Sequence, residues 1–118
     1  MDNNRREFFR LWFDDSIEGY VSVKGAELVP VKIYNISAGG LGFYSKVSNA
    51  LNESIICHFK VLEGSFALAG SIVRKIPQKD KEIIEYGVEF SVDQGTSSEL
   101  FKQLNYYQIR QRKGLLAE

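Results

Sequence analysis

Apolar residues recur at every second position through most of this chain, in short runs separated by turn residues. From Leu11 to about Lys24, the residues Trp12, Phe13, Ile17, Tyr20, Val21 and Val23 form a strand pattern that Gly19 interrupts. Lys24-Gly25-Ala26 suits a turn. From Leu28 onward, Val29, Val31 and Ile33 alternate with Pro30, Lys32 and Tyr34, and the short connection makes this strand antiparallel to the first. Pro30 lacks an N–H, which predicts an edge or bulge position. Asn35-Ile36-Ser37-Ala38-Gly39-Gly40 reads as a turn-rich break, residues 41–44 as a short strand and residues 45–52 as a loop. Ser54 to Leu62 and Phe66 to Ile76 then form a predicted hairpin about Glu63-Gly64-Ser65. After the polar loop 77–81, Ile83 to Val92 is the last strand, with Ile84, Tyr86, Val88 and Phe90 on one face.

Beyond Gly95 the period changes. Leu100, Leu104 and Tyr107 recur at helical spacing with Phe101 beside them, which predicts a helix from about Ser97 to Arg110. Thr96 followed by Glu99 has the form of a capping box at its start. Six short strands and a terminal helix predict a mainly β fold: a closed or nearly closed six-stranded antiparallel β-barrel with a C-terminal α-helix, since closure removes exposed edges. Residues 1–10 are polar and charged apart from Phe8 and Phe9 and read as a flexible N-terminal arm, and residues 11–118 as a single domain.

Composition removes several classes of function. At 118 residues the chain fits one domain, and 44% hydrophobic with 25% charged residues is enough to bury one core. Fifteen basic residues balance fifteen acidic ones, so net charge favours neither nucleic acid nor an anionic membrane as partner. Cys57 is the only cysteine, so no internal disulfide can form, as suits a reducing compartment. It alternates with Ile55, Phe59 and Val61 and reads as core. His58, the only histidine, falls on the opposite face, and one His with one Cys cannot close an ordinary zinc site. There is no Gly-rich loop ending in Lys-Ser/Thr, no Gly-x-Ser-x-Gly elbow and no histidine pair, so the sequence gives no support for an enzyme. The N-terminus carries charge where a signal peptide needs an apolar run. No stretch approaches the roughly 18 apolar residues of a membrane span, which predicts a cytoplasmic protein.

The basic residues are unevenly placed. Arg110, Arg112 and Lys113 suit the C-terminal end of a helix dipole. Arg6 and Arg10 stand four apart near the N-terminus with Arg5 preceding, an arrangement that a solvated arm or an anion clamp would equally show. The Arg6-x-x-x-Arg10 pair, followed by Asn35-x-Ser37-x-x-Gly40, resembles the PilZ domain family. Gly70-Ser71-Ile72-Val73-Arg74 and Gly87-Val88-Glu89-Phe90, then a helix, carry the likeness over nearly the whole chain. The resemblance implies a receptor for cyclic di-GMP, with no cofactor, no metal and no catalysis. It also implies that Arg5, Arg6, Arg10, Asn35, Ser37, Gly39 and Gly40 bind the ligand.

The chemistry of those side chains agrees with that ligand. A guanidinium forks onto two phosphate oxygens or onto the O6/N7 edge of guanine, and it also stacks on a base. Asn35 offers a carbonyl to the guanine N1–H/N2–H edge, where the family more often has Asp. Ser37 offers a hydroxyl, Gly39 suits a turn, and Gly40 permits close backbone approach. On this reading the arm closes over the barrel when the nucleotide binds and presents a changed surface to a protein partner. A barrel that binds a protein without nucleotide is the alternative, and a single-stranded RNA binder fits poorly with zero net charge. Trp12 reads as a core or strand anchor rather than a base-stacking residue, and Tyr106 and Tyr107 as helix packing.

Overall fold

A computed structural model describes residues 10–114; Arg5, Arg6, Phe8 and Phe9 of the predicted arm lie outside it. The chain forms β1 (Arg10–Ser22), β2 (Val29–Ser37), β3 (Gly40–Ser45), β4 (Ser54–Val61), β5 (Gly64–Pro77), β6 (Ile84–Phe90) and α1 (Gln94–Arg112). The strands close into one antiparallel barrel in the order β1-β2-β3-β6-β5-β4. This is the predicted architecture.

Alternation decides which face is which. Leu11, Ile36, Leu41, Val88 and Ile72 oppose one another in turn across five neighbouring strands, and all five are buried. Ile33, Phe43 and Tyr86 make a second inner row, with Phe43 and Tyr86 rings 5.0 Å apart. The Tyr86 hydroxyl, wholly inside, donates to the Val47 carbonyl at 2.7 Å and accepts from the Asn49 N–H at 2.8 Å. It thereby satisfies its own polar atom and ties the β3–β4 loop to the core. Cys57 is buried as expected, and burial pushes its thiol up to about 12, so it is an inert core thiol.

Three boundaries and the placement of Trp12 differ from the sequence expectation, each for a local reason. The 35–40 stretch is not a loop: β2 runs through Ser37, and only Ala38 and Gly39 turn before β3. The β4–β5 hairpin turns at Leu62-Glu63 rather than at 63–65, with Leu62 at a φ of 53°, the left-handed region that tight hairpin turns use. The helix starts before Ser97 because Asp93, not Thr96, is its N-cap: the Asp93 carboxylate accepts the Thr96 N–H at 2.7 Å. Glu99 then lies a turn too far on to close a capping box and bonds Gln103 instead. Trp12 is not core: it is 60% exposed, since Leu11 and Phe13 take the inner face on either side.

The helix seals one end of the barrel. Leu100 and Leu104, one turn apart, are fully buried, and Tyr107 meets Phe13 edge-on with ring centroids 5.4 Å apart. Tyr106, also expected to pack, is exposed. Because Leu104 is fully buried in this stripe, Leu104→Ala should cost about 2–5 kcal/mol of stability, as a large-to-small change in a closed core does. Urea denaturation followed by the emission of Trp12 measures it.

Candidate functional site

Two outward-facing rows flank the buried row just described. In the first, Arg10, Ser37, Gly40, Glu89 and Ser71 oppose one another in sequence across β1, β2, β3, β6 and β5. In the second, Trp12, Asn35, Gly42, Gly87 and Arg74 do the same. Directly opposed residues share a face, so Gly40, Gly42 and Gly87 lie in the middle of this patch beside Glu89, and arginines stand on both flanks. The result is a saddle. The depression between the flanks holds about 120 Å3 and is bordered by Arg10, Ser37, Gly40, Arg74, Gly87 and Glu89.

Strand bulges create this arrangement. Between Ile33 and Asn35 the register of β2 on β3 shifts by one residue, and Tyr34 is the extra one. Without the shift Asn35 would share the inner face of Ile33. With it, Asn35 and Ser37 turn outward while Ile36 stays in. A matching shift at Val73 of β5 turns Arg74 out, where uninterrupted alternation would set it on the inner face of Ile72. A wider irregularity between Trp12 and Ile17 lets β1 carry Phe13 under the helix.

Arg10 holds the two halves of the sequence motif together. Its Nη1 donates to Asn35 Oδ1 at 2.8 Å and its Nη2 to Ser37 Oγ at 3.4 Å, across 25 and 27 residues of sequence. Asn35 and Ser37 are only 3% and 0% exposed because the guanidinium lies over them. Ser37 also organises the turn: its hydroxyl accepts the Gly39 N–H at 3.2 Å and donates to the Gly40 carbonyl at 3.4 Å. Burial, and after it the positive charge of Arg74, hold the Arg10 guanidinium below its ordinary pKa. Two cations and the Glu89 carboxylate thus border one small depression, and Arg74 is also paired with Glu85.

Arg74 is fixed by its own cluster. Its Nη2 donates to the Tyr34 hydroxyl at 2.8 Å and pairs with Glu85 Oε2 at 3.3 Å, while Tyr34 donates to that same oxygen at 2.6 Å. Burial, reinforced by the bond to Glu85, pushes the Tyr34 hydroxyl up to about 12, so it remains a donor. The ring of Tyr34 lies across Gly42, and the guanidinium of Arg74 across Gly87. A Cβ built on Gly42 would fall 2.6 Å from Tyr34 Oη, and one on Gly87 would fall 3.0 Å from Arg74 Cζ. Sequence reasoning placed no contact on Arg74 and missed Tyr34. The only available signal was the broken alternation around each. Tyr34 also continues an aromatic strip, with Trp12 on one side at 5.9 Å and Tyr44 on the other at 4.8 Å.

Of the residues expected to bind, Arg10, Asn35, Ser37, Gly39 and Gly40 come together here, and Arg5 and Arg6 lie outside the described residues. Two larger grooves, of about 510 and 530 Å3, lie elsewhere on the barrel, around Val31 and Tyr44 and around Tyr20 and His58. Neither contains Arg10 or Asn35, so the donor cluster rather than volume locates the site. Among the described residues no cluster of His, Cys, Asp and Glu could hold a metal ion, and no helix is long and apolar enough to cross a membrane.

A closed six-stranded barrel with an arginine-flanked saddle on its outer face defines a small β-barrel domain of a recognisable kind. The chain belongs to the PilZ domain family, whose profile matches residues 4–106. Solved structures share the fold. The Bacillus subtilis inhibitor of motility MotI/DgrA is 22% identical with a TM-score of 0.70, over 92% of this chain and 52% of that one. MrkH of K. pneumonia in complex with c-di-GMP is 14% identical with a TM-score of 0.74, over 93% and 54%. The PilZ domain of YcgR from Escherichia coli with c-di-GMP is 15% identical with a TM-score of 0.63, over 95% and 99%. This chain thus spans about half the length of MotI/DgrA and of MrkH. No curated protein is a significant match.

Gly40 has a structural duty of its own. A Cβ there would run into the Val88 carbonyl oxygen, part of the neighbouring strand and unable to swing aside. Gly40→Ala should therefore destabilise the ligand-free protein by about 1–3 kcal/mol, the range of an overpacked core. A thermal melt without nucleotide reads this, and an unchanged midpoint would mean that the strands part freely at this point.

Proposed function

We propose that this protein is a cytoplasmic receptor for cyclic di-GMP, without catalytic activity, whose saddle binds the nucleotide. The observation that carries the reading is the meeting of Arg10 with Asn35 and Ser37: the two motif halves, far apart in sequence, form one donor and acceptor cluster. Arg10 takes a phosphate or the O6/N7 edge of a guanine, and Asn35 Oδ1 accepts from the N1–H/N2–H edge once the guanidinium leaves it. Ser37 adds a hydroxyl, while Gly39 and Gly40 let the turn approach the ligand. Arg74 faces the same depression from the other flank.

Arg5 and Arg6 supply further guanidinium groups from the arm. A depression of about 120 Å3 is well below the roughly 300 Å3 at which small-molecule pockets begin, so ligand contacts from the arm are part of the design. Closing the arm over the nucleotide costs conformational entropy, which charge-assisted bonds offset. The closed arm presents a new surface to a protein partner. MrkH, YcgR and PlzA of Borreliella burgdorferi, which share the fold, each have a solved structure with c-di-GMP.

Calorimetric titration with cyclic di-GMP tests the reading. Arg10→Ala and Arg6→Ala should each weaken binding by about 1.5–3 kcal/mol, the scale of a hydrogen bond to a charged group. The melting temperature should hardly move, because loss of Arg10 opens Asn35 to water instead of stranding it. Cyclic di-AMP, with the same phosphates and a different base edge, should bind much more weakly. Unchanged affinity in both arginine variants would remove the claim, and equal affinity for the two nucleotides would mean that charge alone is read.

A further inference from the structure

Trp12 is the only tryptophan of the chain and its most exposed large apolar side chain among the described residues, at 60%. An indole left in water is a standing cost that the fold does not require, since β1 already sends Leu11 and Phe13 inward to the core. What distinguishes the position is its company. Trp12 stands directly opposite Asn35, two residues from Arg10 on the same strand face, and its ring leans on Tyr34 at 5.9 Å with a 32° tilt.

The spacing is that of a sandwich. Residues two apart on a strand stand about 6.8 Å from one another, at roughly 3.4 Å of rise each. A flat ring in van der Waals contact at about 3.5 Å on each of its faces fills a gap of this width. The strand positions of Arg10 and Trp12 are thus one base thickness apart, and the Arg10 guanidinium now crosses that interval to reach Asn35 Oδ1 at 2.8 Å. Its back wall is Asn35, whose Oδ1 becomes free for a base edge when the Arg10 guanidinium leaves it. Tyr34 braces the indole from behind, and the bond from Tyr34 to Glu85 holds that brace in place. Every feature needed to stack a base and read its edge is present at one place.

We infer that Trp12 is a ligand-binding residue which stacks on one guanine of the bound nucleotide, with Arg10 on the opposite face and Asn35 at its edge. This deepens the proposed cyclic di-GMP site and rests on it. Arg10 swings from its position over Asn35 to the far face of the base, where its charge gains a cation–π contact. Stacking, unlike phosphate contact, depends little on salt, so the Trp12 contribution survives at ionic strengths that weaken the arginines.

The sole tryptophan makes the test direct. Cyclic di-GMP is titrated into the wild-type protein, Trp12→Ala and Trp12→Phe by calorimetry, and into the wild type by emission. The expected result is a saturable change in Trp12 emission whose midpoint matches the calorimetric one. Trp12→Ala should bind about tenfold to a hundredfold more weakly, the size of a lost base stack, with Trp12→Phe recovering much of the difference. Both variants should melt within a few degrees of the wild type, because the side chain lies outside the core. Heat of binding with unaltered emission and an unchanged Trp12→Ala affinity would overturn the stacking role while leaving the receptor reading intact. Absence of both heat and emission change in the wild type would overturn the two together. Weakened binding in Trp12→Ala that Trp12→Phe does not relieve would also overturn it, since a phenyl ring stacks.

Discussion

Ile36 and Leu41 face each other inside the barrel, with Leu11 beyond one and Val88 and Ile72 beyond the other. A slip of any of these strands by one residue would turn its apolar set outward, and each fully buried side chain of this size is worth about 1.5–3 kcal/mol. The register is held by that penalty. Because alternation is strict on either side of the row, fixing it also fixes Arg10 opposite Ser37 and Trp12 opposite Asn35. The outer saddle is thus positioned by a buried row of which only Leu41 and Val88 border it. A functional surface on a sheet normally risks displacement through loop motion, whereas this one is tied to the most costly packing in the molecule.

The bulges refine what the register provides. An uninterrupted pleat would hide Asn35 and Arg74 in the core, where neither an amide nor a guanidinium could remain without partners. One extra residue in β2 and one in β5 reverse that outcome without disturbing Ile33 or Ile72. The extra residues are themselves put to use. Tyr34 bridges Trp12, Arg74 and Glu85, so the two flanks of the saddle are joined by a single side chain.

Most of the architecture was legible in the sequence because it depends on period. Alternation at 55–61 and 84–90 and the Leu100/Leu104 stripe name the inner face of each element directly. What period cannot reveal is a place where period fails on purpose. The bulges at Tyr34 and Val73 leave every residue type unremarkable, so the sequence gives Arg74 no contact and makes Asn35 part of a turn-rich break. Trp12 was misread for a related reason. Beside Phe13 it looked like one apolar run, and only the pairing of Arg10 with Ser37 shows which of the two neighbours points out. The helix start was hidden by a competition among acceptors, since both Asp93 and Thr96 can cap and local spacing favoured Thr96 with Glu99. The candidate site was legible as a motif, while its location on a strand face required the fold.

The Arg10 bonds to Asn35 and Ser37 have a consequence for how the site coexists with the rest of the protein. Groups kept ready for a ligand usually weaken a fold, because they must stay desolvated and unpaired until the ligand arrives. Here the same guanidinium that would meet the ligand serves meanwhile as the stopper of its own acceptors. Among the described residues no buried side-chain nitrogen or oxygen lacks a partner. The antagonism between readiness and robustness is therefore relaxed at this spot, because the groups proposed to bind are paired with one another within the fold.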